Sequence, residues 1–110
     1  MLIKQNRLTK KRDFENIFKR GFGVKAGFLL LKFIPNKSDS TRFAFVVSQK
    51  VSKKAVQRNK IRRFLREEVR KRMAQVEKGF DCILVVLPGL KLETAEGTLN
   101  DLLKQAKLII

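Results

Sequence analysis

The sequence contains no histidine and only one cysteine, Cys82, in 110 residues. Histidine and cysteine side chains supply most general acid–base catalysis at neutral pH and most zinc ligands, so their scarcity excludes the common protein active sites. The ten carboxylates are scattered, several beside Lys or Arg, and none forms a D-x-D cluster at the end of a predicted strand. We therefore predict no catalytic residue and no metal site in the protein itself.

Long apolar runs are also missing. No stretch approaches the roughly 20 apolar residues that a membrane-spanning helix needs. The N-terminal MLIKQNRLTKKRD lacks the apolar core of a signal peptide. Cys82 lies in an apolar run ending at Leu87, has no second cysteine to pair with, and is predicted to be a small buried residue. These features predict a cytoplasmic protein without a membrane partner.

Acidic residues are scarce as well, with 10 Asp and Glu against 26 Lys and Arg and a net charge of +16. Residues 1–25 have eight basic and two acidic groups and residues 50–72 have eleven and two, so +15 of the charge lies in two segments. A charge needed only for solubility would be spread along the chain, whereas a concentrated charge attracts polyanions. Nucleic acid is therefore the predicted partner, and no obligate protein partner is evident.

The length and the apolar content predict one folded domain over residues 1–110. The chain is 44% hydrophobic and has nine Phe, which a disordered basic tail would lack. Thr9 is predicted to cap a first helix that ends at Gly21, and residues 1–8 are expected to fray. Strands are predicted near residues 27–34 and 42–48, joined as an antiparallel hairpin by the turn-forming residues 35–40.

The second half of the chain predicts two more helices and a buried strand. Residues 56–76 have a helical period whose apolar positions fall within one sector: Ile61, Phe64, Leu65, Val69, Met73 and Val76. Residues 81–87 form a continuous apolar strand, typical of a strand covered on both faces. Residues 94–110 have Leu99, Leu102, Leu103, Ala106 and Ile110 at helical spacing. The predicted fold is an α+β sandwich of order αββαβα, with one small sheet, helices packed on it and a βαβ unit.

The long helix has a polar stripe beside its apolar face. Measured from Ile61, the stripe projects from about 100° to 200° and consists of Asn59, Arg62, Arg63, Arg66 and Arg70. Glu67 and Glu68 are predicted to project elsewhere and to leave the stripe uncompensated. A solvated charged face is the ordinary interpretation of such a run, but its density and the total charge favour phosphate binding.

One segment resembles a known family. Residues 48–67, SQKVSKKAVQRNKIRRFLRE, resemble the signature of the bacterial ribonuclease P protein component, in which an arginine-asparagine-arginine motif is followed by two basic residues. The matching positions are Arg58, Asn59, Lys60, Arg62 and Arg63, with Lys in place of the second arginine. The segment RLTKKRDFENIFKRG at residues 7–21 is similar to the opening helix of the same family.

The resemblance implies a protein that binds RNA and leaves the chemistry to it. In that family an RNA subunit is the catalyst and holds Mg²⁺, while the protein binds that RNA and the 5′ leader of precursor tRNA. The implied contacts to the catalytic RNA are Lys50, Lys53, Lys54, Arg58, Asn59, Lys60, Arg62 and Arg63, and the basic stripe adds Arg66 and Arg70. The implied leader cleft contains Phe14, Phe18 and Leu31, where Leu31 replaces an aromatic and Phe33 is a substitute contact. The resemblance further implies a left-handed βαβ crossover, against the usual rule.

Three other functions stay open on the residues alone. A ribosomal-protein-like binder of folded RNA would be equally basic, but the motif at residues 58–63 and the pair Phe14 and Phe18 speak against it. A transcription factor would need a short helix just before its recognition helix, where residues 43–47 instead predict a strand. A metal-dependent nuclease would need clustered carboxylates.

Overall fold

A four-stranded sheet with helices on both faces organises the chain. The computed structural model describes residues 6–109. The elements in chain order are α1 (Lys11–Arg20), β1 (Phe22–Ala26), β2 (Leu29–Pro35), β3 (Arg42–Val47), α2 (Ala55–Arg72), β4 (Phe80–Val86) and α3 (Leu92–Gln105). This arrangement confirms the predicted α+β fold with one small sheet.

The strand order β1-β2-β4-β3 corrects the predicted hairpin. β2 pairs antiparallel with β4, and β3 pairs parallel with β4 on its other side, so β2 and β3 are not neighbours. The parallel pair with α2 between its strands confirms the βαβ unit. The four residues Cys82, Ile83, Leu84 and Val86 of β4 are all buried, as expected for a central strand covered on both faces.

The strand β1 adds an element that the sequence did not predict. It pairs antiparallel with β2 across a tight turn, with Phe22 opposite Phe33 and Ala26 opposite Leu29. Gly27 in this turn has φ +53°, a conformation that favours glycine. Residues 22–26, which lie between the predicted first helix and the first predicted strand, therefore form an edge strand.

The larger core lies between the sheet and the helices α2 and α3. Leu65 and Val69 of α2 are fully buried. The predicted apolar face is confirmed, although Met73 and Val76 contribute from beyond the end of the helix. From α3, Leu99, Leu102 and Leu103 are fully buried and Ala106 packs against them. Ile110, predicted on the same face, lies outside the described residues.

The smaller core lies between α1 and the opposite face of the sheet, which we call the α1 face. Ile17 is fully buried there against Ala44 and Ile83. α1 ends at Gly21 as predicted, where the backbone becomes extended. A side chain at this position would collide with the carbonyl oxygen of Ile17, so the position requires glycine. The predicted cap at Thr9 is wrong, since Lys10 is the N-cap and makes no side-chain capping hydrogen bond.

Polar contacts fix α1 and the preceding segment to β3. Arg42 donates two hydrogen bonds to the carboxylate of Asp81, at 2.8 and 2.6 Å, and lies 3.6 Å from Asp13 of α1. The amide of Leu8 donates to the carbonyl of Phe43 at 2.9 Å, and Arg7 forms a parallel bridge with the same residue. The expected fraying is therefore wrong for residues 7 and 8, while residues 1–5 lie outside the described part of the chain.

Candidate nucleic-acid interface

The loop between β3 and α2 presents three exposed lysines: Lys50, Lys53 and Lys54. The amide of Val51 donates to the carbonyl of Ser48 at 3.0 Å, and the amide of Lys54 donates to the Ser52 hydroxyl at 3.3 Å. α2 begins just after Lys54 without a side-chain cap and without an acidic residue in its first turn. The positive end of the helix dipole therefore adds to the charge of the loop.

Two arginines of the predicted motif bond to the protein itself. Arg58 donates from Nη1 to the carbonyl oxygens of Ser52 and Lys53, at 2.9 and 3.0 Å. Arg62 donates to the side-chain oxygen of Asn59 and, at 3.4 Å, to the carbonyl oxygen of Val47 at the end of β3. The motif therefore joins the start of α2 to the loop and to the sheet.

The remaining motif residues face solvent. Asn59, Lys60 and Arg63 are exposed. One turn further, the guanidinium of Arg66 lies 5.7 Å from the centroid of the Phe45 ring, a cation–π arrangement that fixes its position at the edge of the sheet. Asn59, Arg63 and Arg66 belong to the stripe that the periodicity predicts, whereas Lys60 lies outside it in the helical projection.

The stripe ends earlier than predicted because Arg70 is paired. Its Nε donates to Glu67 at 2.6 Å, and this hydrogen bond lowers the pKa of the Glu67 carboxyl to about 2. The prediction that the acids leave the whole stripe uncompensated is therefore wrong at Arg70. Among the described residues, no carboxylate lies within ion-pair distance of four arginines: Arg58, Arg62, Arg63 and Arg66.

The loop lysines and the motif residues form one uncompensated surface with Arg66. We call it the basic edge, and it consists of Lys50, Lys53, Lys54, Arg58, Asn59, Lys60, Arg62, Arg63 and Arg66. Arg72 does not belong to it, because it is buried and bonds to Glu68 at 3.1 Å and to Asn100 of α3 at 2.6 Å. Lys71 bonds to the same carboxylate at 2.9 Å and, with Arg72, lowers the pKa of Glu68. This cluster joins α2 to α3.

α1 carries two aromatic side chains on or near its surface, and one of them lies near the basic edge. Phe18 is 48% exposed on the surface of α1, and Phe14 is half-buried against the smaller core. Phe14 also lines a cavity of about 250 Å³ together with Phe45, Arg7 and Arg66. This cavity connects the α1 face with the basic edge, and its lining by Arg7 and Arg66 was not predicted from the sequence.

The structure does not bring Leu31 and Phe33 to this surface. Leu31 is 0% exposed and Phe33 is half-buried, and both pack in the larger core on the opposite face of the sheet. The predicted cleft positions of Leu31 and Phe33 are therefore wrong. Since successive side chains of a strand alternate between faces, an error of one position exchanges the two faces. The half-buried β2 residues on the α1 face are Leu30, Lys32 and Ile34.

The donor groups of the described residues do not favour a metal site. Within residues 6–109, no group of three or more carboxylate or cysteine side chains comes together in a way that could hold a metal ion. Cys82 is buried, which raises the pKa of its thiol, and such a thiol is a poor ligand and nucleophile. None of the helices over the same residues has the length and apolar character to cross a membrane.

Known proteins resemble the chain in sequence and in fold. The Ribonuclease P family model matches residues 2–108. The ribonuclease P protein component of Syntrophomonas wolfei is 35% identical over 101 residues, which cover 92% of this chain and 84% of that protein. The solved RNase P protein of Staphylococcus aureus has a TM-score of 0.88 at 29% identity and covers 97% of this chain and 100% of its own. The RNase P protein of Thermotoga maritima has a TM-score of 0.81 at 32% identity, and the match covers 90% of this chain and 96% of that protein. The basic edge and the fold thus occur in a chain that belongs to the ribonuclease P protein component family.

Proposed function

We propose that this chain binds the catalytic RNA of ribonuclease P through the basic edge, in the cytoplasm of a bacterium. The observation that carries the proposal is the group of four arginines without a carboxylate partner among the described residues, next to three exposed loop lysines. Each of these cations can replace condensed counterions on RNA phosphates, which drives binding and makes it depend on salt. Arg70 contributes less than the stripe pattern predicts, because Glu67 already neutralises it.

We further propose that the α1 face binds the 5′ leader of precursor tRNA. Phe14 and Phe18 offer aromatic surface for unpaired bases, and stacking of this kind contributes about 1–3 kcal/mol per base. Lys32 on the neighbouring strand supplies a cation for the leader phosphates. Leu31 has no part in this proposal, because it is enclosed in the opposite core.

The protein's share of the reaction is positioning and charge neutralisation. Mg²⁺ held by the RNA would supply a Lewis acid for the hydrolysis, able to activate water and to stabilise charge on the scissile phosphate. The carboxylates of residues 6–109 do not cluster, so we assign the Mg²⁺ to the RNA subunit and propose no protein ligand for it. The chain contributes by holding the leader beside the RNA and by reducing repulsion between two polyanions.

Cleavage of precursor tRNA by the cognate RNA, with and without the protein, tests this function. At low Mg²⁺ concentration the protein should raise the cleavage rate, and the protein without RNA should cleave nothing. The effect should be larger for precursor with a long leader than for one with a single leader nucleotide. Cleavage by the protein alone would instead indicate a nuclease, and equal stimulation of both substrates would exclude leader binding.

A further inference from the structure

The guanidinium of Arg58 points back into the loop that precedes its helix. Its Nη1 donates to two successive carbonyl oxygens, those of Ser52 and Lys53, at 2.9 and 3.0 Å. Both acceptors are backbone atoms of the segment that displays Lys53 and Lys54. Among residues 6–109, no other side chain from outside residues 48–54 donates a hydrogen bond to this loop.

Charge repulsion destabilises this loop, and a contact from outside it can offset that repulsion. Lys50, Lys53 and Lys54 place three like charges within five residues, and like charges repel each other. The internal hydrogen bonds of the loop are few, at 3.0 Å between Val51 and Ser48 and 3.3 Å between Lys54 and Ser52. A hydrogen bond from a charged donor is about twice as strong as one between neutral groups. The contact of Arg58 therefore contributes strongly to fixing the loop backbone.

We infer that Arg58 is a positioning residue, which acts on RNA binding by holding Lys53 and Lys54 in place rather than by its own phosphate contact alone. The inference rests on the proposed function of the basic edge. Arg63 is the matched comparison, because it lies five residues further on the same helix, is exposed and, among the described residues, has no carboxylate within ion-pair distance. Arg63 acts as a direct phosphate contact.

The salt dependence of RNA affinity separates the two roles. The slope of log K against log salt is negative, and loss of one phosphate contact reduces its magnitude by about 0.7–0.9. Arg63→Gln should lower the slope by one such step. Arg58→Gln should lower it by two or three steps, because Lys53 and Lys54 lose their positions together with it. A slope change of a single step for Arg58→Gln would overturn the inference.

Conservative variants and a variant background sharpen the test. Arg63→Lys should bind the cognate RNA nearly as the parent protein does, whereas Arg58→Lys should resemble Arg58→Gln, because a lysine keeps the charge without the reach of the guanidinium fork. In a protein that already carries Lys53→Gln and Lys54→Gln, Arg58→Gln should cost at most the affinity of one contact, while Arg63→Gln should cost the same as before. Wild-type affinity of Arg58→Lys, or full additivity of Arg58→Gln, would contradict the positioning role.

Hydrogen exchange of the RNA-free protein keeps this inference separate from the proposed function. The amides of Val51 and Lys54, which donate hydrogen bonds within the loop, should exchange faster in Arg58→Gln than in the parent protein, and Arg63→Gln should leave their exchange unchanged. Unchanged exchange in Arg58→Gln would refute the contact with the loop, even if the protein binds RNA. Faster exchange in a protein that fails to bind the cognate RNA would uphold the contact and refute the proposed function.

Discussion

Adjacent residues of β2 should have opposite roles, and this contrast gives a sharp prediction. Leu31 is fully buried and lies opposite Leu84 of the central strand. Leu31→Ala removes methyl and methylene groups from a packed core, which should lower the free energy of unfolding by about 2.7–5 kcal/mol. Lys32 is half-buried on the α1 face, opposite Ile83. Lys32→Ala should change the free energy of unfolding by about 1 kcal/mol or less, because a half-buried lysine loses only part of its packed stem.

For leader binding, Lys32→Ala should have the larger effect and Leu31→Ala the smaller one. With the assembled holoenzyme, Lys32→Ala should weaken binding of precursor tRNA but not of mature tRNA, and should lower the salt slope for a single-stranded leader by about 0.7. Leu31→Ala, measured at a temperature where the variant is folded, should leave the ratio of the two affinities unchanged. Lys104→Ala is a matched control, because Lys104 is an exposed lysine on α3, on the other side of the sheet.

The assay combines urea unfolding of the free protein with binding of the two RNAs over a range of salt concentrations. A variant Leu31→Ala with parent stability and a selective loss of affinity for leader-containing RNA would refute the register of β2. An equal effect of Lys32→Ala and Lys104→Ala on leader affinity would show that only the net charge matters.

Three further predictions concern stability and reactivity. The pKa of Glu68 is lowered in the folded protein, so its ion pairs stabilise the fold at pH values above 4.5, the ordinary pKa of this group. This contribution is lost as the pH falls below 4.5. Glu68→Gln should therefore lower the free energy of unfolding by about 1.5–3 kcal/mol at pH 7, measured by urea unfolding. The difference from the parent protein should shrink below pH 4.5, and a difference that does not change with pH would exclude the ion pairs as its cause. Cys82 should react with a thiol reagent only as fast as the protein opens, and rapid labelling under native conditions would contradict its burial. Sulfate or phosphate should raise the melting temperature more than chloride at matched ionic strength, and equal effects would argue that the basic edge does not bind anions.

The elements with a strong period were predictable from the sequence. The apolar face of α2 was found because Leu65 and Val69 recur at helical spacing. The central position of β4 follows from an apolar run through Cys82 and Leu84, which only a strand covered on both faces can bury. In both cases the spacing of the apolar residues states which faces of the element must be covered by other elements.

Strand neighbours and faces were less predictable. Alternation indicates that Phe43 and Phe45 share a face, but it does not state which strand lies next to β3, and β4 from a distant part of the chain takes that place. β1 escaped prediction because its five residues include a glycine and lie at the edge of the sheet. The assignment of Leu31 to the leader surface failed because similarity to a family does not fix the register to one residue.

A helical projection also does not predict which side chains on the helix pair with each other. Glu67 and Arg70 project in different directions from the helix axis, but they are three residues apart, and their long side chains meet across that gap. In the same way, a projection shows that Arg58 is on the basic side of α2 without showing that its guanidinium turns back to the carbonyl of Ser52. Such contacts depend on rotamers and on the path of the preceding loop.

Docking of the basic edge onto the catalytic RNA is the central step of the proposed function. A variant for this test replaces four exposed basic residues by glutamine: Lys53, Lys54, Lys60 and Arg63. Its control removes the same charge elsewhere, by replacing with glutamine four other exposed lysines: Lys37, Lys78, Lys91 and Lys104.

The decisive measurement is the affinity of each protein for the cognate RNA as a function of salt. The first variant should lower the slope by about 3 and reduce cleavage at low Mg²⁺ to the rate of the RNA alone, because about four phosphate contacts are lost. The control should bind and stimulate nearly as the parent protein does. Equal affinity of the two variants, or undiminished stimulation by the first, would contradict the account.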